Sequence, residues 1–131
     1  MTEAEASSDT VDLTVPADPA YISVLRTVTA SLAARRDFTI DEIDDLRIAV
    51  DEACALLLPH ATTGATLSAS FGGTDDSLLV DVSVPSEDGA KPDQTSFAWM
   101  VLAALADTVS SSADDGRLAL TLTKTRSARI A

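Results

Sequence analysis

The segment from Thr39 to Pro59, "TIDEIDDLRIAVDEACALLLP", marks one helix at both ends, and every other element has to be placed around it. Thr39 stands three residues before Glu42, the spacing of a capping box. In that motif the hydroxyl takes the third helical N–H and the carboxylate returns to the backbone N–H of the cap. Ile43, Leu46, Val50, Ala53 and Leu57 then follow at intervals of three and four, laying one apolar stripe along a helix for burial. Pro59 ends or kinks it, because its ring lacks an N–H and collides with the carbonyl four residues back. On the same helix Glu52, Leu56 and His60 are spaced i, i+4, i+8, so a leucine interrupts an otherwise polar stripe.

Upstream, Val11, Leu13 and Val15 alternate as in a half-buried strand, which Pro16 closes. From Pro19, suited to a first helical turn, Ile22, Leu25, Val28 or Thr29, and Leu32 recur at helical spacing. Downstream, "ATLSASF" and "LLVDVSV" read as strands of a hairpin joined by the turn "GGTDDS". "PSEDGAKPDQT" reads as a loop, and "SFAWMVLAALADTV" as an apolar helix capped by Ser96. Phe97, Trp99, Met100 and Leu102 are expected in the core, with a dimer or partner surface as the other place for Trp99. Leu118, Leu120 and Leu122 alternate in a last strand.

The order strand, helix, helix, strand, strand, helix, strand predicts an α/β (α+β) two-layer sandwich, its mostly antiparallel or mixed sheet covered on one face by helices. A single domain is expected over residues 11–126, between a flexible acidic arm at 1–10 and a short basic tail at 127–131.

Among 131 residues, 46% are hydrophobic, enough for a core. Nine Lys and Arg against 21 Asp and Glu give a net charge of −12, which repels nucleic-acid phosphates and anionic membranes. Neither is expected as a direct partner. Such acidity suits a basic protein partner, and it equally serves solubility alone. One cysteine and one histidine exclude an internal disulfide and a Cys/His zinc cluster, which fits a reducing cytosol. The acidic start has no signal-peptide pattern and no apolar run reaches membrane-spanning length, so a cytoplasmic protein is expected. Acids on a helix such as Asp51 and Glu52 are ordinarily solvated. Cys54 reads as a small core residue or a redox sensor, and His60 as a partner of the last helical carbonyls or a catalytic group.

"DLRIAVDEACALLLPHA" resembles the N-box helix of the anti-sigma factor and serine-kinase family, the RsbW-like branch of the GHKL (Bergerat-fold) ATPases. That helix runs approximately Asp-Glu-Ala-Cys-Thr-Asn, two apolar residues, Glu-His-Ala. Asp51, Glu52, Ala53, Cys54, His60 and Ala61 match in register. "LTVPADPAYISVLRTVTASL" is similar to the family's opening strand and first helix, with Arg26 at the position of its partner-binding arginine. "SFAWMVLAALADTV" and "DDGRLALTLTKTR" look like its closing helix and strand. The divergent actinobacterial sigma-F anti-sigma branch is the most similar.

The resemblance implies Glu52 as general base of a kinase using Mg-ATP. The family's magnesium-ligating asparagine is replaced by Leu56, which offers no oxygen. Asp88-Gly89 provides only a degenerate version of the adenine-reading Asp-x-Gly-x-Gly box, and the glycine-rich phosphate lid gives way to "TSFAWMVL". His60, Asp88 and Gly89 are thus weak candidates for nucleotide contact. The implied function is an anti-sigma factor with a degenerate ATP site. It would bind an alternative sigma factor as a homodimer through Arg26 and release it to a STAS anti-anti-sigma partner. The alternatives are an active serine kinase acting on that partner, and an α/β domain with an unrelated task.

Overall fold

The computed structural model describes residues 9–128, so most of the expected arm at 1–10 and the end of the tail at 127–131 lie outside the described residues. The elements run β1 (Val11–Pro16), α1 (Ile22–Arg35), α2 (Ile40–Leu57), β2 (Thr66–Gly73), β3 (Ser77–Pro85), α3 (Phe97–Leu105), β4 (Thr108–Asp114) and β5 (Arg117–Thr125). The strands form one sheet in the order β1-β2-β3-β5-β4, every neighbouring pair antiparallel.

The period-two pattern sets the faces of this sheet. Val80, Val82 and Val84 stand opposite Leu122, Leu120 and Leu118, and all six are fully buried. The other face is hydroxylic and acidic: Ser70, Asp81 and Thr121 lie in register across three strands, and Thr121 donates to Asp81 over 2.6 Å. The helices cover the apolar face, bringing Leu25, Leu46, Leu57 and Leu102 into one core with it. α2 lies between α1 and α3 and packs against both.

The boundaries of α2 have the expected causes. The Glu42 N–H donates to Thr39 Oγ1 at 3.1 Å, and the Thr39 N–H donates to Glu42 Oε1 at 2.8 Å, completing the capping box. The other Glu42 oxygen accepts the Ser127 N–H at 2.6 Å, tying the start of α2 to the segment after β5. At the far end a 3-10 turn, Leu58–His60, replaces the α-helix around Pro59. In α1 the buried rhythm is Leu25, Thr29 and Ala33, and Thr29 satisfies its hydroxyl on the Leu25 carbonyl at 2.7 Å. The β2–β3 turn depends on Gly73, whose φ of 120° few side chains tolerate and where a Cβ would collide with the Ser77 carbonyl.

Two expectations need correction. The last helix does not run on through "ADTV": it stops at Leu105, and Thr108–Asp114 forms an edge strand. Ala106 turns extended (φ −107°, ψ 155°), the Asp107 N–H donates to Thr123 O at 2.8 Å, and the Asp107 carboxylate takes the Thr125 N–H at 2.7 Å. Together these bonds start the β4–β5 ladder. Nor are Phe97 and Met100 core residues: they are 78% and 61% exposed, while Leu102 is buried and Trp99 half-buried.

Candidate functional site

Helical geometry divides the outer surface of α2 into two flanks. One faces α1, because Asp51 Oδ1 lies 3.3 Å from Arg26 Nε across the helix pair. The other carries Asp45, Glu52 and the half-buried Leu56 toward α3. Its direction is fixed by Lys124, which donates to the Leu105 carbonyl at 2.9 Å and lies 3.8 Å from Asp45.

Glu52 is half-buried on the second flank. Leu56, one turn on, packs against the core cluster. His60, beyond the end of α2, does not turn to the last helical carbonyls as a residue at that position could. Its Nδ1 lies 2.7 Å from Asp88 Oδ2, in the segment between β3 and α3. Asp88 also accepts from Ser86 Oγ at 3.0 Å and from the Ala90 N–H at 2.9 Å, and Gly89 follows with φ 66°. The His60 hydrogen bond, with those from Ala90 and Ser86, holds the Asp88 carboxyl down to about 2. The fold therefore brings His60 and Asp88 together, with Gly89 next in the chain, and His60 and Asp88 line a depression of about 400 Å³ with Thr62 and Glu87. Among the described residues no group of three His, Cys, Asp or Glu side chains is arranged to hold a metal ion.

Arg26 lies on the first flank, with its side chain 39% exposed, and borders a groove of about 370 Å³ together with Ser23, Thr27, Ala30 and Arg47. Burial pushes the Asp51 carboxyl up, against the pull of Arg26 and Arg47. Asp51 was marked in the sequence as a helix acid but not as a partner of Arg26, and Arg47 passed unmarked, although their i, i+4 spacing puts both on one side of α2. Cys54 is fully buried, and burial, with the neighbouring Asp51 charge, pushes its thiol up to about 12. That makes it a packing residue rather than a nucleophile. A larger groove, about 1060 Å³, lies elsewhere, at the C-terminal end of α1. Its Arg36 is engaged by the Thr74 and Ser77 carbonyls at 2.9 and 3.0 Å.

Residues 15–124 match the model of the histidine kinase-like ATPase domain. The serine-protein kinase RsbW of Bacillus subtilis is 38% identical over 79 residues, covering 58% of this chain and 49% of that protein. The anti-sigma-F factor RsbW of Mycobacterium tuberculosis is 35% identical over 99 residues, covering 76% of this chain and 59% of that protein. The chain thus spans about half the length of the curated relatives it matches. Among solved structures, the RsbU and RsbW domains of Rv1364c from Mycobacterium tuberculosis superpose with a TM-score of 0.68 at 18% identity. The match covers 95% of this chain and 35% of that one. No helix among the described residues is long and apolar enough to cross a membrane.

Proposed function

This chain belongs to the family of histidine kinase-like ATPase domains, and on that premise we propose that it is an anti-sigma factor acting by protein binding rather than by phosphoryl transfer. It holds an alternative sigma factor of RNA polymerase through the α1 face around Arg26, as a homodimer, and yields it to a STAS anti-anti-sigma protein. The observation that carries the choice of binding over catalysis is Leu56, packed against the core one turn after Glu52. Phosphoryl transfer rests on positioning and on metal electrostatics, and a leucine in contact with a core supplies neither. The His60 contact to Asp88 supports the same reading, since the acid of the degenerate adenine box is already engaged within the protein. These residues do not fit a magnesium nucleotide. The net charge of −12 supports a partner with basic surfaces, which it would attract and orient.

The test is capture by the tagged protein from its own lysate, with and without Mg-ATP, followed by identification of the bound proteins. Recovery of a sigma factor in both conditions is expected. Recovery only with Mg-ATP would overturn the loss of nucleotide dependence, and no recovery would overturn the anti-sigma reading. The kinase reading rests on Glu52 and on the relatives named as kinases. It requires phosphorylation of a STAS protein that Glu52→Gln abolishes.

A further inference from the structure

All nine residues of α3 are apolar, "FAWMVLAAL", yet only Leu102 is fully buried. A helix apolar on every side belongs inside a core, whereas a helix at the surface normally turns polar residues outward. Here Phe97, Met100 and Ala104, spaced i, i+3, i+7, form the outward stripe, with Ala103 beside them, all exposed. The orientation is firmly set. Ser96 caps the helix by accepting the Trp99 N–H at 3.2 Å, and Trp99, Leu102 and Leu105 pack inward on the core. The helix cannot roll to hide Phe97 without exposing them. An apolar patch held outward in this way marks an interaction surface.

Charge selects the occupant. The chain from residue 86 to 107 carries Glu87, Asp88, Asp93 and Asp107 against Lys91 alone, and the adjoining flank of α2 adds Asp45 and Glu52. Lys124, engaged by the Leu105 carbonyl, offsets Asp45, and the remaining acids still outnumber Lys91. An acidic rim repels anionic lipid, and a second copy of this chain would bring the same acids against it. We propose that the α3 stripe seats an amphipathic helix of a protein partner, apolar on one side and rich in lysine and arginine on the other. Phe97 and Met100 fill its apolar face, the methionine adapting to the shape it meets. This surface is separate from the α1 face and needs nothing of Arg26 or of the anti-sigma reading.

Trp99 is the protein's single tryptophan and adjoins Met100, so its emission reports on this site. The full chain is titrated with a synthetic leucine/lysine helix of about four turns and, separately, with its leucine/glutamate counterpart. Sedimentation is followed in parallel. The expected result is saturable binding of the lysine peptide alone, weakened roughly tenfold or more by Phe97→Ser with Met100→Ser, which leaves every charge in place. Should the double variant not fold, Met100→Gln serves for the same comparison. Absence of binding, or binding that these substitutions leave unchanged, overturns the proposal. So does a wild-type dimer that the same substitutions dissociate, which would assign the stripe to a second copy.

Discussion

Replacing Leu56 by asparagine separates two things the site could be missing. In the RsbW-like pattern asparagine stands at this position, so Leu56→Asn restores the absent oxygen. It also disturbs packing, since Leu56 is half-buried against the core. Burying a leucine completely is worth about 1.5–3 kcal/mol, so losing half of that costs about 1 kcal/mol. An amide left partly desolvated adds about 1–3 kcal/mol. The sum, roughly 2–4 kcal/mol, lies below the 5–15 kcal/mol by which domains of this kind are ordinarily stable, so the variant should fold. With a urea slope of about 2 kcal/mol per molar, the middle of the usual range, its unfolding midpoint should fall by roughly 1–2 M. Calorimetric titration with Mg-ATP then reads the site. No gain in affinity is expected, because Asp88 remains held by His60 and the segment leading into α3 has no glycine after Gly89. An unchanged midpoint would refute the packing argument. Tight magnesium-dependent ATP binding by the variant would show that one ligand was the whole deficit, refuting the reading of a site degenerate throughout.

Other perturbations test individual features. Gly73→Ala, at φ 120° and against the Ser77 carbonyl, should cost about 2 kcal/mol or more in a denaturant melt; a cost below about 0.5 kcal/mol would contradict the strained turn. The Asp88 carboxyl is held below its ordinary 3.8, at about 2, so its stabilising contribution is complete above 3.8 and is lost as pH falls toward 2. Thermal midpoints across that window should fall less steeply for Asp88→Asn than for the wild type, and parallel curves would count against the pair. Cys54, buried with its thiol pushed up to about 12, should resist a thiol reagent near pH 8 until the protein unfolds, whereas rapid labelling of the native state would contradict its burial.

The sequence made α2 legible because cap, stripe and proline agree on the same boundaries. The β2–β3 hairpin was legible for a similar reason, with alternation on both sides of a glycine-led turn. β4 was not: its inward residues are Val109, Ser111 and Ala113, too small to write an apolar alternation, and the ladder to β5 that creates it is tertiary. α3 was legible as a helix but not in its phase. When every position is apolar no stripe stands out, so nothing in "FAWMVLAAL" tells that Leu102 turns inward and Met100 outward. Pairings across the fold were invisible for the same reason. His60 and Asp88 are 28 residues apart, and only the return of the sheet beside the end of α2 makes them neighbours.

The position of Arg26 was legible by pattern, but its attachment to Asp51 was not, and that attachment bears on how the α1 face would bind. Asp51 Oδ1 is buried and has no aligned hydrogen bond, although Arg26 Nε is 3.3 Å away. Burial raises this carboxyl, so the pair is loosely satisfied from the acid's side. A carboxylate on a partner that meets the guanidinium squarely would compete on better terms. Asp51, once released, keeps the favourable field of Arg47. Half-exposed pairs of this kind are worth about 0.2–1 kcal/mol, which sets the cost of freeing Arg26. Asp51→Asn removes that competition and should tighten capture of an acidic partner segment by about 1.5- to 5-fold. Titration calorimetry with the captured sigma factor measures it. If Asp51→Asn instead weakens binding as much as Arg26→Ala does, Asp51 holds the guanidinium in its binding pose and does not compete with the partner.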